Sequence, residues 1–245
     1  MTAAATAATA LRVLTQLRRD PRTVALLLLV PALLVTLLRF VFDGQQETFD
    51  RLGGPLIGLF PFITMFLVTS ITMLRERTGG TLERLMSMPV GKLDLLTGYG
   101  IAFATVAAAQ AGLTAAVAFL LLGLDVGGSP AAVVTLAIGN AVLGMSLGLF
   151  VSVFASSEFQ AVQFMPTFVF PQLLLCGLFV ARDQMAGALE AISDALPLTY
   201  AFDALDRVAS GGDFGGRGWL DVAVIVGVTL LALGLGALTL RRRTP

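Results

Sequence analysis

The sequence predicts an all-α integral membrane protein. Three features carry that expectation: apolar runs of bilayer length, few charges inside those runs, and an uneven split of arginine and lysine between alternate loops. Of 245 residues, 56% are hydrophobic and 13% charged, and the mean hydropathy is +0.88, outside the range of soluble domains. A bilayer core about 30 Å thick is crossed by roughly 20 apolar residues of helix. Six runs reach that length, at about 23–42, 55–74, 99–124, 131–154, 162–181 and 219–240. The chain, 1–245, is therefore expected to form a single transmembrane domain.

Ahead of the first run, residues 4–19 carry Leu11, Leu14 and Leu17 at spacings of three, beside Arg12, Arg18 and Arg19. That pattern suits an interfacial helix on the inner leaflet, against the alternative of a solvated basic tail, so residues 1–22 are assigned to it. "RRDPR" then leads into the run at 23–42. No small-residue cleavage site follows Phe42, so a retained first span with a basic flank is expected. Arg39, near its end, can carry its guanidinium to the interface.

The second run, 55–74, opens into a charged loop at 75–98 that holds Arg75, Glu76, Arg77, Glu83, Arg84, Lys92 and Asp94. Gly79 and Gly80 free the turn out of the span. Thr81 can cap a short helix whose Leu82, Leu85 and Met86 share a face, with Glu83, Arg84 and Ser87 turned elsewhere and Pro89 as its stop. Such a helix serves equally as an ordinary interfacial loop or as a docking element for a cytoplasmic partner.

On the fourth run, Asn140, Gly144, Gly148 and Ser152 recur every four residues, as a helix-packing seam or as the lining of a path. Pro166 and Pro171 can kink the fifth run and free carbonyls for which Gln163 and Gln172 are at hand, whether for packing or for a gate. Phe164, Phe168, Phe170 and Phe179 suit either lipid or hydrophobic cargo. In the external segment 182–218, Met185, Leu189, Ile192 and Leu196 form a stripe opposite Asp183, Glu190 and Asp194, and Pro197 stops that helix. A second short helix at about 200–209 precedes the flexible "SGGDFGGRG". Two helices this short cannot build a soluble core of their own, so they are expected against the membrane face or dipping into it.

Eleven of the sixteen cations fall on one side: Arg12, Arg18, Arg19, Arg22, Arg75, Arg77, Arg84, Lys92 and Arg241 to Arg243. Arg39, Arg51, Arg182, Arg207 and Arg217 fall on the other. The positive-inside rule then makes both termini and the 75–98 loop cytoplasmic.

The chain has no histidine, and its single cysteine, Cys176, can form neither an intrachain disulfide nor a cysteine-based zinc cluster. Acid–base and metal chemistry lack their usual residues between the span edges. The same scarcity of intramembrane ionisable groups weighs against a proton-coupled transporter. No stretch has the phosphate-cradling G-x-x-x-x-G-K-[ST] spacing, and "GGTLERLMS" is not one. No cofactor is expected to be bound by this chain, and any uphill work must draw its energy from another.

The loop residues Arg75, Glu76, Arg77, Gly80, Thr81, Leu82, Glu83, Leu85 and Pro89 resemble the R-E-R-E-x-G-T-L-E-x-L-x-x-x-P pattern of type-2 ABC exporter permeases of the daunorubicin and multidrug type, with Thr78 at a position where an acid is common. A second stretch, 158–205, is similar to the same family through Phe159, Gln160, Gln163, Pro166, Pro171, Gly177, Pro197, Leu198, Thr199, Tyr200 and Asp203, with Cys176 in place of a frequent Ser and Ala186 of a frequent Pro. The resemblance implies that the loop helix is a coupling helix seated on an ATP-binding subunit, with contacts from Glu76, Gly80, Thr81, Leu82, Glu83, Leu85, Met86 and Pro89. It implies a connecting helix at 1–22 and re-entrant helices at 183–209. Two permeases, identical or homologous, would face each other over two ATPases that bind ATP and magnesium, in a bacterial plasma membrane. Asn140, Gln163, Pro166, Phe168, Pro171 and Tyr200 become candidates for a path or gate. The expected cargo is hydrophobic or amphipathic, a drug-like compound or lipid, because the spans offer no fixed charge to a small hydrophilic solute. A polysaccharide exporter is the neighbouring alternative and a secondary transporter the more distant one.

Overall fold

The computed structural model describes residues 3–80 and 91–239, and it is helical, with no strand among the described residues. The helices are α1 (Ala3–Arg19), α2 (Pro21–Val41), α3 (Gln46–Thr78), α4 (Lys92–Ala116), α5 (Pro130–Val151), α6 (Glu158–Phe164), α7 (Phe170–Leu175), α8 (Gly187–Asp194), α9 (Pro197–Ala209) and α10 (Gly215–Thr239). A π turn, Val117–Leu121, extends α4, and another, Met165–Val169, joins α6 to α7.

Among the described residues, five helices are long and apolar enough to cross a membrane: α2, α3, Thr97–Leu121, Pro130–Phe154 and α10. The run at 162–181 differs from its expectation. Its helical part is 158–175, interrupted by the π turn, and the chain then leaves the helix. The reason lies at Gly177, whose φ of +104° is a backbone that side-chain-bearing residues rarely adopt. Hydropathy alone runs through "CGLFVA" without registering that turn. At 1.5 Å per residue the 158–175 stretch is about 27 Å long, close to one bilayer core.

The second span is also longer than its apolar run. α3 has 33 residues, roughly 50 Å of helix, and carries its charged ends beyond the bilayer core at both sides. Gly79 donates its N–H to the Arg75 carbonyl at 2.8 Å, and Gly80 takes φ +71°, the left-handed turn that closes a helix.

The core is built on α3 and α5, which share the most extensive helix contact. The Gly144 and Gly148 pair is a packing seam: a β-carbon on Gly144 would collide with the Phe62 carbonyl, and one on Gly148 with the Phe66 carbonyl and the Thr69 hydroxyl. Thr69 exploits this close approach, donating across it to the Met145 carbonyl at 3.1 Å. Gln110 on α4 ties in α2 and α3, donating to the Leu27 carbonyl and to Thr64 Oγ1.

The N-terminal helix forms where expected, and Leu14 and Leu17 of the leucine stripe pack against the core, but Leu11 does not. Thr9, Ala10 and Val13 are its buried residues, while Leu11 is 64% exposed. Small size decides this, because α1 lies so close to α4 that a β-carbon on Gly98 would strike Thr9 and the Thr6 carbonyl. Pro197 proves to be the first residue of α9, so that helix starts three residues earlier than its sequence pattern indicates. One face of α9, including Leu198, Ala201, Phe202, Leu205 and Val208, is buried.

Candidate functional site

The C-terminal end of α3 is the first functional region. Its last turn carries three consecutive charges, and each reaches a different helix. Arg75 donates from Nε and Nη2 to the two carboxylate oxygens of Glu158 at the start of α6, both at 2.8 Å. Glu76 accepts from Arg12 Nη2 of α1 at 3.2 Å on each oxygen. Arg77 donates from Nη1 to the Ser152 carbonyl, in the 3-10 turn after α5, at 2.7 Å.

This arrangement follows from helix geometry. Successive residues point about 100° apart, so three neighbours in sequence address three directions. The end of α3 is thereby clamped to α1, to the turn after α5 and to α6. The hydrogen bonds from Arg75 hold the Glu158 carboxyl below its ordinary value. A cleft of about 360 Å³ opens beside the clamp, lined by Val13, Gln16, Asp20, Arg75, Glu76 and Tyr99. At its edge Asp20 caps α2 through Thr23, accepting from its N–H at 3.2 Å and its hydroxyl at 2.6 Å, and these bonds hold its carboxyl low.

Of the expected coupling residues, Glu76 and Gly80 lie at this root. Thr81, Leu82, Glu83, Leu85, Met86 and Pro89 lie outside the described residues.

The second region is the fifth helical segment and its cap. Gln163, Pro166, Phe168 and Pro171 all sit on its exposed face. Phe164 and Phe168 meet edge to face at 5.7 Å. Gln172 braces the kink as its position suggested, donating to the Phe168 carbonyl at 2.9 Å while its Oε1 accepts from Leu198 N–H at 3.3 Å. Gln163 contributes its backbone carbonyl, which accepts from the Thr167 hydroxyl at 2.8 Å.

Asn140 is wholly buried between α5 and α9, donating to the Ala201 carbonyl at 3.3 Å. The same α9 carries Tyr200, whose hydroxyl donates to the Asp194 carbonyl at 2.6 Å. Neither residue lies on the exposed face that holds the other four.

The cap also holds charges that periodicity does not reveal. Arg182 bridges Asp194 at 2.8 Å and Asp203 at 2.7 Å. Asp221 is fully buried at the start of α10, with Arg217 Nε 4.0 Å away. Arg207 Nε is buried and has no hydrogen-bond partner among the described residues. Burial pushes the Asp203 carboxyl up, a tendency Arg182 opposes. The pairing signal for Arg182 is absent from the sequence because its partners stand 12 and 21 residues away along the chain.

Comparison with known proteins adds the remaining finding. A family model described as "ABC-2 type transporter" matches residues 5–208. The linearmycin resistance permease protein LnrN of Bacillus subtilis is 25% identical over 213 residues, covering 86% of this chain and 53% of its own length. The probable multidrug ABC transporter permease YbhS of Escherichia coli is 23% identical over 178 residues, 72% of this chain and 47% of its own. ABC transporter G family member 20 of Dictyostelium discoideum is 24% identical over 173 residues, 70% of this chain and 24% of its own. The chain thus spans from a quarter to about half of the length of these relatives.

Proposed function

The chain belongs to the ABC-2 type transporter family, a type-2 ABC permease, and from that premise we propose that it is the membrane subunit of an ATP-driven exporter in a bacterial plasma membrane. The observation that carries the proposal is the clamp at the inner end of α3. A loop that receives work needs a stiff root, and Arg75, Glu76 and Arg77 distribute any push on 79–91 to three other helices.

In this reading residues 81–89 form the coupling helix, with Leu82, Leu85 and Met86 as apolar knobs in a groove of an ATP-binding subunit that holds ATP and magnesium. Each such side chain contributes roughly 1.5–3 kcal/mol when fully covered. Two permeases, identical or homologous, face each other over two such subunits. The chain crosses six times, with 158–175 as the fifth crossing, both termini cytoplasmic and the whole of 1–245 as one transmembrane domain.

The exposed face of the fifth crossing, with Gln163, Pro166, Phe168 and Pro171, lines the path, and Asn140 and Tyr200 brace the cap behind it. Polar Gln163 and Thr167 on a face otherwise apolar, with Val162, Pro166, Phe168, Phe170, Pro171 and Leu174, suit an amphipathic passenger better than lipid alone. Two relatives carry resistance or multidrug names, which supports a drug, antibiotic or lipid as cargo.

Co-purification from native membranes tests the assignment. A Walker-motif ATPase is expected to accompany the chain, and its consistent absence would refute the reading.

A further inference from the structure

We propose that Arg182 is the clip of an outer strap: residues 178–196 close over the end of the fifth helical segment and open when Arg182 releases Asp203. As an outer gate the strap rests on the export reading; as a clip it does not.

Two parts of the cap differ in how they are held. α9 is fixed, with Leu198, Ala201, Phe202, Ala204 and Leu205 among its buried residues, packed against α3, α5 and α10. On α8, by contrast, Ser193 is the buried residue, and Leu189 and Ile192 are 43% and 50% exposed. The strap has natural hinges at both ends. Gly177 takes φ +104° where the helix is left, and Pro197 begins α9 after an extended Leu196.

What holds the strap down is mainly polar. Ser193 Oγ donates to the Leu175 carbonyl at 2.9 Å, and the Tyr200 hydroxyl to the Asp194 carbonyl. Arg182 pairs with two carboxylates. Its Asp194 arm is open to solvent, with that side chain 58% exposed, whereas the Asp203 arm is shielded, at 19% and 18%. A screened pair contributes little, while removing one member of a shielded pair strands the other charge. Release is not free of context. Asp203 also feels Asp221, Arg217 and Arg207, so the carboxylate left behind when Arg182 departs keeps cationic neighbours. A pair that can be exchanged in this way suits a two-position strap.

Cys176, the only thiol in the chain, lies wholly buried at the foot of the strap in a cluster with Val169, Leu198, Ala201 and Phe202, against which Leu178 of the strap packs. It therefore reports opening without an added probe site. Labelling uses the full chain in membranes open at both faces, with a small water-soluble thiol reagent; where reclosing outpaces the reaction, its rate follows the open population. Native protein should label slowly. Arg182→Ala and Asp203→Asn should each speed labelling by about ten- to a hundredfold, the equivalent of one charge-assisted bond, and Asp194→Asn should change it little. The exchange Arg182→Asp with Asp203→Arg should restore protection, a rescue that a merely misfolded single variant cannot give. Labelling of the single variants at the native rate, or an exchange variant as reactive as the singles, would overturn the clip. No nucleotide or cargo enters the assay, so the export reading can fail without touching this result.

Discussion

Arg75, Glu76 and Arg77 hold three helices from one turn of α3, and at the scale of single residues their pairings set the chemistry of that helix end. The Arg12–Glu76 pair is partly shielded, with side chains 28% and 11% exposed. Glu76→Ala should therefore lower stability by about 1 kcal/mol, read as a thermal midpoint in detergent. Glu158 gives a pH test. Its carboxyl is held low by Arg75 in the folded protein, so the stabilisation is fully present above its unfolded value and lost as pH falls through the folded one. Thermal midpoints should decline on acidification below the ordinary carboxylate range, and Glu158→Gln should flatten that decline. None of these pairings is legible in the sequence. Arg75 and Glu158 are 83 residues apart and Arg12 and Glu76 are 64 apart, and only the folded chain brings them together.

Helix by helix, legibility follows the physics of each signal. The fourth run is read to within a residue at its start and matches at its end, 131–154 against Pro130–Phe154, because Ser129 and Pro130 mark its beginning and apolar residues fill it. The charged extensions of α3 are not read, since hydropathy reports the bilayer and not the helix. The leucine spacing of α1 picks out Leu11, which is exposed, over Thr9 and Ala10, which are buried, because close approach to Gly98 rewards small residues over greasy ones. The glycine seam on α5 was legible as a pattern, and only the contact with Phe62 and Phe66 decides between packing and a path. Gly144→Val should accordingly cost about 1–3 kcal/mol or displace α3 from α5. A thermal midpoint close to that of the unsubstituted protein would remove the seam from the account.

For the molecule as a whole, the proposed function is mechanical: residues 79–91, proposed as cytoplasmic, take up work, and the tethered end of α3 passes it on to the helices it is paired with. The face with Gln163, Pro166, Phe168 and Pro171 is exposed, and under the proposed function it lines the path. Substituting Phe168 with Ala should then alter transport more than folding, visible as lost export at an unchanged thermal midpoint.

The most direct test reconstitutes the chain with its ATP-binding subunit in vesicles and follows nucleotide hydrolysis and cargo movement together, with and without Leu82→Asp and Leu85→Asp. The account predicts that the paired substitution leaves the ATPase turning over while transport stops. Undiminished transport by that variant would contradict it, as would nucleotide turnover by the purified chain alone.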